Sequence, residues 1–169
     1  MPGPDESFDP APVLERFAAA GVDFVVIGGV AGAAHGSAFG TFDVDLAYSR
    51  DPENLERTAE VLRSLDATPR GAPKDVPFIL DADTLEAGGN FTFSTSLGSV
   101  DLLAYPAGSP PYEQLREAAK VIEVRGYQVH VASLDHLIAM KEAAGRPRDK
   151  DMAAEYRLIS DELRAPRDG

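Results

Sequence analysis

The sequence predicts an α/β (α+β) fold, in which helices flank a mixed β-sheet and the C-terminal part is helical. Residues 22–28 are dense in β-branched side chains, which is typical of a buried strand. Residues 42–48 alternate apolar and acidic side chains, which is the period of a half-buried strand. Helical patterns separate these strands, and a chain of 169 residues is long enough for one domain with its own core.

The individual elements follow from local patterns. Val13, Leu14 and Phe17 predict a helix over residues 12–20, and the small residues after Gly28 predict a short helix. Capping signals predict four later helices: one that Asp51 caps, one ending near residue 119, one from Ser133 to Ala144 and a last one after Pro147. Strand and turn signals predict at most a short strand over 76–80, strands over 91–96 and 99–105, and a hairpin around Arg125-Gly126. Asp81 and Asp83 are predicted to be loop acids.

The chain is predicted to form a single domain with three parts. Residues 1–10 are rich in proline and acid and are predicted to be a disordered leader. Residues 11–132 form the predicted core, and residues 133–169 form a helical segment that packs on it.

Composition and charge exclude several classes of protein. The chain has 16 Lys and Arg against 28 Asp and Glu, a formal net charge of −12, which argues against a protein built mainly to coat nucleic acid or an anionic membrane. It has no Cys, so disulfide scaffolds, thiolate metal sites and thiol nucleophiles are excluded. No apolar run has the length of a membrane span, and the acidic, proline-rich N-terminus lacks the apolar segment of a secretory signal. A cytoplasmic protein is therefore expected.

The candidate chemistry lies in two segments close together in the sequence. Asp43 and Asp45 are two residues apart in a predicted strand, so both carboxylates face the same side, where a divalent cation such as Mg²⁺ or Mn²⁺ would offset their repulsion. Gly28 and Gly29 open a predicted helix, where backbone N–H groups favour phosphate. Together the two segments suit a metal-bound nucleoside triphosphate.

Asp101 is a candidate third carboxylate. It lies in an otherwise apolar predicted strand, and if that strand neighbours the strand of Asp43 and Asp45, the three acids can hold two metal ions. Simpler interpretations remain open: the acid pair is a solvated strand face, Thr41 is a β-former on an exposed face, and Lys141 is a solvated helix residue.

These residues resemble a known signature. Gly28-Gly29, thirteen intervening residues and then Asp43-Val44-Asp45 resemble the signature of the DNA polymerase beta-like nucleotidyltransferase superfamily. With Gly36 and Thr41 the segment is similar to the form found in small bacterial nucleotidyltransferases, the group of minimal nucleotidyltransferases and AbiEii-type toxins of toxin–antitoxin systems.

A C-terminal segment extends the resemblance. The run LIAMKEAAGRPRDKDM resembles a segment of the AbiEii-like group, with Lys141, Arg146 and Asp149 on its Lys, Arg and first Asp. Asp101 is similar to the third catalytic acid of the superfamily, and the resemblance covers about residues 22–152.

The resemblance implies a mixed-sheet nucleotidyltransferase fold and an enzyme that moves a nucleoside monophosphate from a nucleoside triphosphate to an acceptor hydroxyl. It implies that Asp43, Asp45 and Asp101 bind Mg²⁺ or Mn²⁺ and that Lys141 and Arg146 contact the triphosphate or the acceptor. Gly28, Gly29 and Thr41 are expected to hold or support the triphosphate. A tRNA end, a protein and a small molecule remain open as acceptors, an antitoxin is an expected partner, and no membrane is expected.

Two positions differ from the resembled pattern and motivate an alternative. Phe39 stands where many relatives have Arg, and Met152 stands where they have a second Asp. The alternative hypothesis is a catalytically weak module that binds nucleotide or metal and acts as a toxin–antitoxin or regulatory partner. A third interpretation is a structural protein with an incidental acid pair.

Overall fold

A computed structural model describes residues 8–73 and 75–166. These residues form seven helices, namely α1 (Ala11–Ala19), α2 (Gly28–Ala34), α3 (Pro52–Ser64), α4 (Ala82–Ala87), α5 (Tyr112–Glu117), α6 (Leu134–Ala144) and α7 (Pro147–Arg164). They also form seven strands, namely β1 (Phe24–Ile27), β2 (Asp43–Tyr48), β3 (Thr68–Pro69), β4 (Asn90–Thr95), β5 (Gly98–Leu103), β6 (Lys120–Val124) and β7 (Tyr127–Val131).

The strands form one mixed sheet in the order β3-β4-β5-β2-β1-β7-β6. The β2–β5 and β1–β7 pairs are parallel, and the other neighbours are antiparallel. This is the α+β architecture with a mixed sheet, flanking helices and a helical C-terminus that the sequence predicts, so the predicted fold class is confirmed. β2 lies in the centre of the sheet, which places its two acids between β1 and β5.

The core lies where the central strands meet the helices. The side chains of Val25, Val26, Val44, Leu46 and Leu102 are fully buried or nearly so, because each comes from a strand with neighbours on both sides. Of the helices that the described residues form, none combines the length and the apolar character needed to cross a bilayer.

Residues 76–80, where the sequence predicts at most a short strand, are irregular, whereas a prediction for the residues that follow is wrong. Asp81 and Asp83 are not loop acids: Asp81 caps α4, where its Oδ1 accepts a hydrogen bond from the Thr84 amide at 2.8 Å, and Asp83 lies in the first turn. Burial of Leu85 against the core fixes this short helix in place.

Residues 1–7 of the predicted leader lie outside the described residues. Gly145 ends α6 in the left-handed conformation with φ of 67°, directly after the predicted helix end at Ala144, and the turn brings α7 back alongside α6. This hairpin of helices directs Lys141 and Asp149 towards the N-terminal end of β2.

Candidate active site

The pairing of β2 with β5 brings the three candidate carboxylates to one face of the sheet. Asp45 is the direct partner of Asp101 across the two parallel strands, and Asp43 lies two residues earlier on the same face of β2. The side chain of Asp43 is 47% exposed and that of Asp101 is 19% exposed. All three therefore lie on one side of the sheet, with Asp45 and Asp101 deeper than Asp43.

Gly28 and Gly29 allow the close approach of α2 to this strand. Gly28 has φ of +68°, and a Cβ atom there would lie 2.1 Å from the Oδ2 atom of Asp45. A Cβ atom on Gly29 would lie 2.7 Å from the Cβ atom of Thr41. Gly29 lines the cleft beside the carboxylates, whereas Gly28 does not.

Thr41 closes the turn that leads into β2. Its hydroxyl donates to the backbone carbonyl of Asp43 at 3.1 Å and accepts from the amide of the same residue at 3.4 Å. Thr41 also lines the cleft. Its position fixes the backbone from which the Asp43 carboxylate projects.

Burial and like charge act together on Asp45. Desolvation, followed by the negative charge of Asp101 and a hydrogen bond with it, raises the pKa of the Asp45 carboxyl from 3.8 to about 7. Asp43 adds to this effect, and the positive charge of Lys141 opposes it. Burial is thus the main reason why Asp45 holds its proton, and the neighbouring carboxylates add to it.

Arg70 compensates part of this charge and was missed by the sequence analysis. Its guanidinium donates to the Asp101 carboxylate and lies 3.4 Å from Oδ1 of Asp43, so it bridges acids of two strands. Arg70 follows β3 in a segment rich in Pro and Gly, and no spacing or periodicity links it to the acids. Only the order and the register of the strands reveal the contact.

A second ionic cluster forms the opposite wall of the cleft. Asp149 is buried, with 3% of its side chain exposed, and accepts from Arg146 Nε at 2.7 Å and from Lys141 Nζ at 3.4 Å. The hydrogen bond from Arg146 is the main reason why the pKa of Asp149 lies below its usual value. Asp149 thus holds two cations beside the carboxylates of β2.

Helix α7 also fixes the loop between α2 and β2. The Glu155 carboxylate accepts from the hydroxyl of Ser37 and from the amide of Ala38, the latter at 3.0 Å. Arg148 donates to the carbonyl of Gly40 at 3.0 Å and lies over the ring of Phe39, 5.9 Å from its centroid. A cation from α7 therefore reaches the part of the loop where Phe39 stands in place of the Arg of the resembled pattern.

The resulting cleft has a volume of about 320 Å³ and carries acids on one wall and cations on the other. Its lining includes most of the predicted site residues: Gly29, Thr41, Asp43, Asp45, Lys141 and Arg146, together with Gly40, Phe42, Arg148, Asp149 and Met152. The acid wall can attract cations and the basic wall can attract phosphates. Asp101 reaches the same acid wall through its pairing with Asp45.

The acid wall fits a divalent cation in its donor chemistry, because Mg²⁺ and Mn²⁺ prefer carboxylate oxygens. The Arg70 guanidinium shows that a positive group is accommodated between Asp43 and Asp101. Among residues 8–73 and 75–166, no three acidic or histidine side chains converge on one ready-made metal position. The side chains that hold Arg70 would have to turn towards a metal ion.

Comparison with known proteins identifies relatives by fold and not by sequence. No protein-family model matches the chain. No curated protein matches it either.

Solved structures do match it at low sequence identity. The antibiotic-resistance factor ANT(2″)-Ia, in complex with adenylyl-2″-tobramycin, matches with a TM-score of 0.57 and 15% identity over 90% of this chain and 88% of its own. A candidate nucleotidyltransferase from Thermotoga maritima matches with a TM-score of 0.55 and 14% identity over 87% of this chain and 89% of its own. An antigenic nucleotidyltransferase-like protein from Paracoccidioides brasiliensis matches with a TM-score of 0.51 and 15% identity over 88% of this chain and 72% of its own. The mixed sheet and flanking helices described above are therefore the nucleotidyltransferase fold.

Proposed function

We propose that this protein is a metal-dependent nucleotidyltransferase that moves a nucleoside monophosphate from a nucleoside triphosphate to an acceptor hydroxyl. The observation that carries the proposal is the pairing of Asp45 with Asp101 on adjacent parallel strands, with Asp43 beside them in the same cleft. Fold neighbours that are described as a candidate nucleotidyltransferase and as a nucleotidyltransferase-like protein support it.

In this proposal each wall of the cleft has its own role. Asp43, Asp45 and Asp101 hold Mg²⁺ or Mn²⁺, which when bound would neutralise phosphate charge and polarise the reacting oxygens. Lys141 and Arg146 lie on the opposite wall, where their positive charges attract the triphosphate. Gly29 leaves room for the phosphates, Gly28 lets α2 approach β2, and Thr41 holds the turn before Asp43.

The bond changes define the reaction. The acceptor oxygen attacks the α-phosphorus, the bond from that phosphorus to the bridging oxygen breaks, and pyrophosphate leaves with that oxygen. The acceptor hydroxyl loses its proton, and Asp101 takes it as general base.

The acceptor is proposed at the level of class. A small molecule is favoured by the ANT(2″)-Ia neighbour, whose complex holds an adenylylated aminoglycoside. A tRNA end or a protein hydroxyl fits the resemblance to AbiEii-type toxins, and in that case a toxin–antitoxin pair, with an antitoxin as partner, is the cellular setting.

The test follows transfer of label from α-³²P-labelled nucleotide to three acceptors: tobramycin, total tRNA and cell protein. We expect metal-dependent label on one of them together with pyrophosphate. We expect both to fall at least about 100-fold in Asp43→Asn and in Asp101→Asn, because each removes a metal-binding carboxylate. Asp83→Asn removes an exposed carboxylate of α4 and controls for the change of charge. Transfer at the wild-type rate in Asp43→Asn would contradict the proposal.

A second candidate is the catalytically weak binding module. The observation that favours it is the bridge from Arg70 to Asp43 and Asp101, which satisfies two of the three carboxylates without a metal ion. A module of this kind would bind nucleotide without transferring it to any of the three acceptors, so the labelling experiment distinguishes the two candidates.

A further inference from the structure

Arg70 belongs to a row of side chains that crosses four strands. Its amide donates to the carbonyl of Thr92 at 2.9 Å, which extends the β3–β4 pairing by one residue. Thr92 is the direct partner of Asp101, and Asp101 is the direct partner of Asp45. Direct partners in a sheet project from the same face, so all four residues lie on the face of the sheet that carries Asp45.

Only a long side chain can make this contact. Adjacent strands lie about 4.8 Å apart, so β3 is about 10 Å from β5 and farther still from β2. The Arg70 side chain spans that distance and reaches both acids, with Nη1 3.4 Å from Oδ1 of Asp43. The side chain is 34% exposed, so it is not locked in place by packing.

Among the described residues, Arg70 is the cation that forms ion pairs with Asp43 and Asp101. Lys141 lies near enough to lower the pKa of Asp45, but its Nζ hydrogen bond goes to Asp149. A guanidinium cannot lose its proton in a protein, so Arg70 must move away from Asp43 and Asp101 before another cation can take the same oxygens. A phosphate offers it an equally good, bidentate partner.

We propose that Arg70 is an internal counter-ion that competes with divalent cations for Asp43 and Asp101 and transfers to the phosphates of an incoming triphosphate. The inference rests on the proposed function, because it requires the cleft to take a divalent cation together with a triphosphate. Metal alone then binds weakly, and each ligand tightens the binding of the other by the same factor.

The test measures Mn²⁺ binding by EPR titration of the full-length protein, with and without inorganic tripolyphosphate, so that neither the base nor turnover affects the result. The variants are Arg70→Gln, which removes the charge, and Arg70→Lys, which keeps it. The matched control is Arg116→Gln. Arg116 is 44% exposed and pairs with Asp23 at 3.0 Å at the other end of β1, and its loss changes the net charge equally. Circular dichroism and the midpoint of thermal unfolding check that each variant is folded.

We expect Arg70→Gln to bind Mn²⁺ alone at least about fivefold more tightly than the wild type, the lower end of common coupling effects. Arg70→Lys, which keeps the charge on a shorter side chain without the two-pronged guanidinium, should lie between the wild type and Arg70→Gln. Arg116→Gln should stay close to the wild type. Tripolyphosphate should tighten Mn²⁺ binding more in the wild type than in Arg70→Gln.

Two results would overturn the inference. If Arg70→Gln binds Mn²⁺ equally or less tightly while the wild type binds Mn²⁺ with tripolyphosphate, competition is wrong and the proposed function stands. If neither the wild type nor any variant binds Mn²⁺ under either condition, both proposals are wrong.

Discussion

The Asp45 carboxyl group makes the stability of the protein depend on pH. Its pKa of about 7 in the folded chain exceeds its ordinary value of 3.8, so the folded chain holds this proton more tightly than the unfolded chain does. The stabilisation is complete below about pH 4 and is lost as the pH rises through 7.

Asp45→Asn removes this titration. In EDTA, we expect the variant to exceed the wild type in free energy of unfolding by at least about 1 kcal/mol at pH 8 and by almost nothing at pH 4. Urea denaturation across this range measures the difference, with Asp83→Asn as the control for net charge. A difference that does not change with pH would contradict the stated cause of the pKa shift.

Gly28 permits a prediction about the close approach of α2 to β2. Gly28→Ala places a Cβ atom 2.1 Å from Oδ2 of Asp45 at a φ of +68°, whereas Gly21→Ala meets nothing within 4 Å at a similar φ of +73°. We expect Gly21→Ala to lower the free energy of unfolding by about 1 kcal/mol, because its backbone conformation disfavours a side chain. Gly28→Ala should lower it by at least about 1 kcal/mol more, because of the added contact. Urea denaturation measures both, and equal losses would show that the contact is unimportant.

At the scale of single residues, local sequence spacing predicts part of the candidate site. Asp43 and Asp45 share a strand face because i and i+2 always do, so their proximity follows from two positions. Arg70 had no such signal, because its contact depends on β4 lying between β3 and β5. Asp149 was matched to the resembled motif, but its burial between Lys141 and Arg146 depends on how α6 and α7 pack.

The α6–α7 hairpin is the element that supplies the basic wall of the cleft. Asp149 joins Lys141 of α6 to Arg146 at the start of α7, and it accepts from the amide of Arg146 at 3.3 Å. The two helices and the cap of α7 therefore share one buried carboxylate.

Asp149→Ala tests this element. We expect it to lower the free energy of unfolding by about 2 kcal/mol, because it removes a buried carboxylate that accepts hydrogen bonds from two charged side chains. Asp151→Ala, which removes an exposed carboxylate two residues later on α7, should change stability by less than about 0.5 kcal/mol. Chemical denaturation measures both, and a comparable small loss in the two variants would show that Asp149 does not stabilise the hairpin.

The patterns of most elements could be predicted from the sequence, but the order of the strands could not. β-Branched runs, caps and the hairpin turn at Arg125-Gly126 are local signals, and the elements form where those signals lie. The pairing of β2 with β5 joins segments more than 50 residues apart, and nothing in either segment specifies the other.

At the scale of the whole molecule, the cleft combines opposite charges in a chain of strongly negative net charge. The formal net charge is −12, yet Lys141, Arg146 and Arg148 face the carboxylates across one cleft of about 320 Å³. The basic wall is thus a local concentration of positive charge on a chain that is acidic overall. This cleft lies at the N-terminal end of β2.

The central claim is that the cleft binds a nucleoside triphosphate together with a divalent metal ion, and thermal unfolding tests it most directly. The wild type and the double variant Asp43→Asn/Asp45→Asn are each unfolded with ATP, GTP, CTP or UTP, with Mg²⁺, Mn²⁺ or EDTA. Each midpoint is compared with that of the same protein without nucleotide.

We predict a metal-dependent rise of the wild-type midpoint with at least one nucleotide. A ligand at about 100 times its dissociation constant adds about 2.7 kcal/mol to the free energy of unfolding. The midpoint of the double variant should not rise, because two of the three carboxylates that hold the metal ion have been removed. An unchanged midpoint with all four nucleotides, or an equal rise in the double variant, would contradict the account.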